Sequence, residues 1–366
     1  MSQSLPVSKT CVCHNLRDGS SGEAGQLFIW FPVPHALVKV IPFLKQAALD
    51  YALMQERSGL NVTCKPGQVQ EVAAKIAHLL APRELGETRV LFLQGMAQPQ
   101  LHDFSDITSL QHFVERNESD WLIEMLTSER FTTYFQPIVS AQDTAQIYAY
   151  ELLLRGLDAD GNLVLPGLIL DQATKADLLP QLDRVARLSA IAHASQHQLS
   201  GRIFINFIPT ALYDPVSCLR STVEAIDRAG IAHERIVFEV VETDTPQDLS
   251  HLKTVLKYYR EAGFLVALDD LGAGYSSLNL LHQLRPDFIK LDMALIRNVD
   301  QDPYKASITE KLLEIAQALG VPTIAEGIES IGELHWLQKH GATFAQGYLL
   351  AEPSAIPIRE IPRYPR

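Results

Sequence analysis

The sequence predicts an α/β protein in which a (β/α)8 TIM-like barrel over residues 131–366 is preceded by a small α/β N-terminal domain over 1–106 and a connecting helix over 107–130. Three observations carry this prediction. From residue 131 onward, short apolar runs of strand length alternate with helical stretches. There are eight such runs, the number a closed barrel of this class requires. The section that holds them is about 235 residues long, close to the roughly 250 typical of such barrels.

In chain order, Leu27–Val33 reads as a strand, Ala36–Gln55 as a helix, Val69–Leu80 as an amphipathic helix and Val90–Gln94 as a strand. Ile107, Leu110, Phe113 and Val114, then Trp121, Leu122, Met125 and Leu126, recur at helical spacing and form the connecting helix, with a break expected at Asn117–Ser119. The barrel strands are expected at Tyr134–Val139, Ile147–Leu154, Ile203–Phe207, Ile236–Val241, Leu265–Leu268, Phe288–Leu291, Thr323–Ala325 and Thr343–Tyr348. Helices are expected at Asp183–Leu199, His251–Ala262 and Lys305–Leu319, the last stopped by Gly320 and Pro322.

Composition narrows the function. A chain of 366 residues, 47% hydrophobic and 20% charged, is globular. Its formal charge of -12 argues against a duplex nucleic acid partner, because phosphate contacts are made by clustered Lys and Arg. An anionic substrate would need a cation's help. Four cysteines (Cys11, Cys13, Cys64, Cys218) suggest a reducing compartment, and the cytoplasm is the expectation. The N-terminus lacks the apolar run of a secretory signal. The stretch Phe28–Leu44 is broken by Pro32, Pro34, His35, Lys39 and Pro42, so no transmembrane segment is expected. Cys11, Cys13, His14 and Cys64 could bind zinc or sense redox state, although their spacing matches none of the usual zinc patterns. The N-terminal domain matches no recognisable family and has no GGDEF-like motif.

The chemistry is signalled by polar residues that interrupt or end the barrel strands. Glu151 interrupts IYAYELLL, Asn206 interrupts IFINF, Glu239 interrupts IVFEVV, and Asp269-Asp270 end LVALDD. Lys290 interrupts FIKLD, Glu326 ends TIAE and Gln346 follows ATFA. Taken singly, each has an ordinary use: Glu151 and Asn206 could face solvent, Asp269-Asp270 could form a turn, Lys290 could snorkel, and Glu326 or Gln346 could cap loops. Their recurrence at strand ends is the signal, since a barrel gathers strand ends at one mouth. Two carboxylates about 4 Å apart repel by roughly 4 kcal/mol at an effective dielectric of 20, so five together need compensating cations. Oxygen donors suit Mg2+ or Mn2+. Pattern alone therefore points to a metal-dependent barrel enzyme.

At these residues the sequence resembles the EAL family of cyclic di-GMP phosphodiesterases. The resemblance runs over about residues 121–355. It is carried by FQPIV at Phe135–Val139, YELLLR at Tyr150–Arg155, INFIP at Ile205–Pro209 and FEVVET at Phe238–Thr243. DDLGAGYSSL at Asp269–Leu278, DFIKLD at Asp287–Asp292, AEGIE at Ala325–Glu329 and AQGYLL at Ala345–Leu350 complete it. The naming tripeptide reads Glu151-Leu152-Leu153, with Leu for the usual Ala, while Leu271 and Ala273 replace a common Phe and Thr. The resemblance implies a barrel with one antiparallel strand that hydrolyses cyclic di-GMP to linear pGpG with two divalent cations, Mg2+ or Mn2+. It implies Glu151, Asn206, Glu239 and Asp269 as ligands of the first metal, Asp269 as a bridge and Asp270 as a ligand of the second. It further implies Glu326 and Gln346 around the second metal's water shell, Lys290 orienting or deprotonating the attacking water, and Gln136 and Arg155 on the dinucleotide. A homodimer through the barrel is also implied.

Glu239 and Glu242 stand three apart on one strand, so their side chains face opposite ways. Glu239 is the ligand candidate. The resemblance implies Glu242 as an anchor for the loop Asp270–Leu278. The rival reading is a non-catalytic cyclic di-GMP receptor that signals to a protein partner; against it, the whole ligand set is present in the sequence.

Overall fold

A computed structural model of the chain describes residues 23–54, 58–117, 119–212, 215–241, 249–272 and 277–364. The described residues fall into two compact units, and the division is not a single cut: Gly167–Leu178 group with the N-terminal unit, which ends at Ser128.

The N-terminal unit contains β1 (Gly25–Trp30), α1 (Pro34–Gln46), β2 (Tyr51–Leu53), β3 (Gly59–Cys64), α2 (Val69–His78), α3 (Pro82–Glu87), β4 (Arg89–Gln94), β5 (Thr108–Ser109), α4 (Leu110–Asn117) and α5 (Asp120–Thr127). Its sheet runs β2-β3-β1-β4-β5, with antiparallel neighbours throughout. The alternating Leu27 and Ile29 of β1 share a core with Leu60 and Val62 of β3, Val90 of β4 and the apolar stripes of α1 and α2.

Three expectations are corrected here. The helix expected over 36–55 ends at Gln46, because Pro42 already breaks its hydrogen-bond ladder and Ala48 turns the chain with φ of 49°. The residues beyond it form β2, which pairs with β3, a strand not anticipated in the sequence. The connecting segment divides where its break was expected, α4 ending at Asn117 and α5 beginning at Asp120, but it starts later than expected, after strand β5, so Ile107 lies outside the helix.

The barrel contains β6 (Phe131–Ser140), β7 (Ile147–Leu157), β8 (Leu163–Val164), α6 (Pro166–Lys175), α7 (Leu179–Gln196), β9 (Arg202–Asn206), α8 (Pro215–Ala229), β10 (Ile236–Val241), α9 (Leu249–Glu261) and β11 (Leu265–Leu271). It continues with α10 (Ser277–Leu284), β12 (Phe288–Leu291), α11 (Met293–Ile296), α12 (Pro303–Leu319), β13 (Thr323–Ala325), α13 (Ile331–Lys339) and β14 (Phe344–Ala345). Most of α6 belongs to the Gly167–Leu178 stretch of the first unit, where Gln172 donates to Ser119 Oγ at 2.6 Å. The strand order is β6-β14-β13-β12-β11-β10-β9-β7, closed by β6–β7, with β8 as an appendage on β7. The strand β6 is antiparallel to both neighbours and the remaining barrel neighbours are parallel. The chain thus forms the TIM-like barrel with one reversed strand. The last strand is shorter than expected, because the chain after Ala345 turns to meet the segment at Ile328.

Strand alternation explains how this barrel makes a site. Its interior is filled by Ala149, Phe204, Val237, Ala267, Phe288, Ile324, Phe344 and Ile138. Two residues further along in the first seven, one pleat nearer the mouth, stand Glu151, Asn206, Glu239, Asp269, Lys290, Glu326 and Gln346. On the reversed β6 the order is also reversed, so Gln136 precedes Ile138 and lies opposite Glu151. Residues between them, such as Ile205, Phe238, Leu268 and Ile289, point outward into the core under the helices.

Candidate active site

Each polar residue is held in place by its strand and by its neighbours. Asn206 is level with Glu239 across β9–β10, and its Nδ2 donates to Glu151 Oε1 at 3.0 Å. Gln346 Nε2 donates to Glu151 Oε2 at 2.8 Å and to Gln136 Oε1 at 3.0 Å, which ties β14, β7 and β6 together at the mouth. Gln136 Nε2 in turn donates to the Ala351 carbonyl at 3.4 Å.

Lys290 stands at the centre. Its Nζ is 2.6 Å from Glu326 Oε1, 2.7 Å from Glu239 Oε1, 3.0 Å from Asp269 Oδ1 and 3.5 Å from Glu151 Oε2. The side chain is 1% exposed. Burial alone would disfavour the charged amine, but Asp269, Glu151, Glu239 and Glu326 together raise its pKa well above the ordinary lysine value. One ammonium cannot balance four carboxylates. Burial pushes Glu239 and Glu326 well above the usual carboxylate range, and Asp269 is raised for the same reason, with repulsion from Glu151 adding to each. Glu151 is the exception: burial opposes its charge, yet Lys290, Gln346 and Asn206 hold its pKa below the ordinary value.

Asp269 and Asp270 are adjacent, so a regular strand would turn them to opposite faces. A register shift between Leu268 and Leu271 and a left-handed φ of 54° at Asp270 break the alternation, and both carboxylates reach the mouth. Aspartate tolerates this conformation better than bulkier residues. Burial, then Asp269, pushes Asp270 up to about 6.

The donor set fits divalent cations. Oxygens of Glu151, Glu239 and Asp269 lie within 4.8 Å of one another, as do those of Asp269, Asp270 and Glu326, so the two groups share Asp269. Glu239 Oε2 and Gln346 Oε1 are buried and have no hydrogen-bond partner. Unpaired buried acceptors beside hard carboxylates are suited to a cation.

A cavity of about 280 Å3 opens above the cluster and is lined by Gln136, Glu151, Asp270, Glu326 and Gln346. Arg155 is half-buried nearby, its guanidinium 5.1 Å from the centre of the Tyr134 ring. The cavity wall also holds Arg297, whose guanidinium donates to Glu329 Oε1 at 2.7 Å. Sequence reasoning missed Arg297 because it lies beyond the strand end, one helical turn after Met293. Glu242 lies outside the described residues, as do Ala273–Ser276 of the loop it was expected to anchor and Cys11, Cys13 and His14. Cys64 is buried in the N-terminal core, and burial raises its thiol to about 11.

Comparison with known proteins places this region in a known family. The family model of the EAL domain matches residues 119–353. The chain belongs to the EAL domain family. It is 31% identical over 229 residues to the probable cyclic di-GMP phosphodiesterase PdeG of Escherichia coli, a match covering 60% of this chain and 44% of the relative. The chain spans less than half the length of the curated relatives it matches. A standalone versatile EAL protein from Vibrio cholerae, solved in its c-di-GMP bound form, is 36% identical, with a TM-score of 0.57 over 63% of this chain and 95% of the other. Klebsiella pneumoniae BlrP1 is 22% identical but covers 90% of this chain and 96% of its own, with a TM-score of 0.56, a likeness of fold alone. No described helix is long and apolar enough to cross a membrane.

Proposed function

We propose that this EAL domain hydrolyses cyclic di-GMP to linear pGpG with two divalent cations, Mg2+ or Mn2+. One observation carries the reading: carboxylates from five positions converge on one cavity, with Lys290 as the ammonium among them. Such a cluster repels a phosphodiester until cations are bound, which reconciles a chain of charge -12 with an anionic substrate. The family membership and the names of its relatives support the same substrate.

In this reading Glu151, Asn206, Glu239 and Asp269 would hold the first cation, and Asp269 and Asp270 the second. Cations held there would supply a water of lowered pKa and charge to neutralise the phosphodiester. Glu326 and Gln346 fix water around the second site. Lys290 Nζ, held as an ammonium by the surrounding carboxylates, would orient the attacking water as a donor, and the proton uptake that the resemblance allows it would need the amine neutral. Gln136 and Arg155 position the dinucleotide, the Arg155 guanidinium lying over the Tyr134 ring. A homodimer through the barrel, a regulatory N-terminal unit and a cytoplasmic location belong to the same proposal; buried cysteine thiols such as Cys64 fit a reducing compartment.

The experiment is incubation with cyclic di-GMP and Mg2+ or Mn2+, with and without excess chelator, followed by chromatography of the products. Conversion to pGpG that stops in chelator and resumes on adding metal is expected. Binding without turnover in either metal would make the chain a receptor, and turnover in excess chelator would remove the cations from the reading.

A further inference from the structure

Lys290 occupies the space in which the carboxylates would gather cations, and from this we infer that it serves as the internal counter-ion of the cation-free barrel and weakens divalent-cation binding by competing for the same oxygens. The inference rests on the reading of the site as a cation centre and adds to it a second role for this residue. Its basis is geometric. Nζ lies within 3.0 Å of oxygens on Glu239, Asp269 and Glu326, with Glu151 slightly further away. Glu151, Glu239 and Asp269 form one candidate cation group, and Asp269 and Glu326 belong to the other. A cation entering either group shares ligands with the ammonium.

The lysine has nowhere else to put its charge. Its strand β12 is buried on both faces, and its side chain is 1% exposed, with Phe288 as the inward residue one pleat below. The ammonium therefore remains within the cluster whether or not cations are bound. In the cation-free state it is the positive partner of Glu239, which is fully buried and whose second oxygen has no donor. When two divalent cations enter, their charge and that of Lys290 together match five carboxylates, Glu151, Glu239, Asp269, Asp270 and Glu326.

This arrangement predicts opposite effects from one substitution. Without Lys290 the cation-free barrel loses the charge that holds its carboxylates together. At the same time, each cation loses a neighbouring like charge and a competitor. The test uses the full-length protein and Mn2+ as the only probe, at pH 8, with thermal unfolding in chelator and calorimetric titration of Mn2+. Lys290→Met is expected to lower Tm in chelator by roughly 5 °C or more. It is expected to bind Mn2+ roughly tenfold or more tighter than the wild type.

The double variant Lys290→Met/Glu239→Gln, which also removes the most deeply buried carboxylate charge, is expected to regain Tm in chelator. An unchanged Tm in chelator together with unchanged or weaker Mn2+ binding in Lys290→Met overturns the counter-ion role while leaving the cation site standing. If the wild type itself binds no Mn2+, the cation reading fails, and the competition fails with it. If Lys290→Met folds only when Mn2+ is present, the inference is supported. If it folds in neither condition, the double variant decides: folded in chelator supports the inference, and unfolded overturns it.

Discussion

Two clusters of buried charge sit in the barrel unit, one in the helical layer and one at the mouth. In the helical layer Asp183 and Arg187, one turn apart on α7, form an ion pair in which both side chains are almost fully buried. Two further contacts support it: Arg187 Nε donates to Thr222 Oγ1 at 3.1 Å, and the Ile208 amide donates to Asp183 Oδ1 at 2.8 Å. At the mouth, one ammonium faces four carboxylates. A pair matched one to one needs nothing more from outside. A set short of positive charge is poised to take some up.

The largest expected effect is at the matched pair. Asp183→Ala leaves Arg187 buried without its partner and the Ile208 amide without its acceptor, and should lower unfolding free energy by about 3–5 kcal/mol. Urea unfolding should give the same loss in Mn2+ and in chelator, because the pair lies outside the cation groups. A loss that Mn2+ repairs would erase the distinction between the clusters.

At the mouth the expected cost is to chemistry and not to folding. Glu151→Ala and Asp269→Asn should each reduce pGpG formation by more than about 100-fold. The Tm of Asp269→Asn in chelator should be no lower than that of the wild type, since it removes a charge that burial and Glu151 already disfavour. Wild-type turnover with confirmed metal binding would show that these side chains are not ligands.

The cluster at the mouth should also respond to pH. Asp270 has a folded-state pKa of about 6, above its ordinary 3.8, so the fold favours its neutral form. Its contribution to stability is fully present below about pH 4 and is lost as pH rises through about 6. Glu239, Asp269 and Glu326 are shifted in the same direction and extend that loss to higher pH. In chelator, Tm should therefore fall as pH rises through this window, and Mn2+ should flatten the slope. A chelated protein that gains stability over the same range would contradict the directions assigned to these groups.

The smallest effect tests how the mouth is braced. A Cβ at Gly347 would lie 2.2 Å from backbone atoms of Ile328, where Ile328 N–H donates to the Gln346 carbonyl. Gly347→Ala should part the segments carrying Glu326 and Gln346 at a cost of about 1–3 kcal/mol. A fall in Mn2+ affinity larger than the fall produced by a distant, equally destabilising substitution would show that the brace serves the site.

The legible part of this protein lies in its period-two patterns. An apolar residue and a polar residue two positions apart recur in all eight barrel strands, as in Phe204 and Asn206 or Val237 and Glu239, and alternation is local physics that a strand expresses wherever it sits. In the N-terminal unit the strand β3 does carry that alternation, Leu60, Val62 and Cys64 against Asn61 and Thr63, but its shortness leaves it unassigned in the sequence. The segment of β2 continues a helical pattern until its pairing with β3 overrides it. Sequence alone determined which polar residues face inward and that Glu151, Glu239, Asp269 and Glu326 among them are acidic. Tertiary structure decided what no local pattern contains: the left-handed turn that brings Asp270 beside Asp269, the burial that makes Asp183 and Arg187 a matched pair, and the place of Arg297 on the cavity wall. It also decided that one lysine would meet four carboxylates. The reason is that charge balance belongs to a closed ring of strands, and only closure brings residues more than a hundred positions apart within reach of a single ammonium.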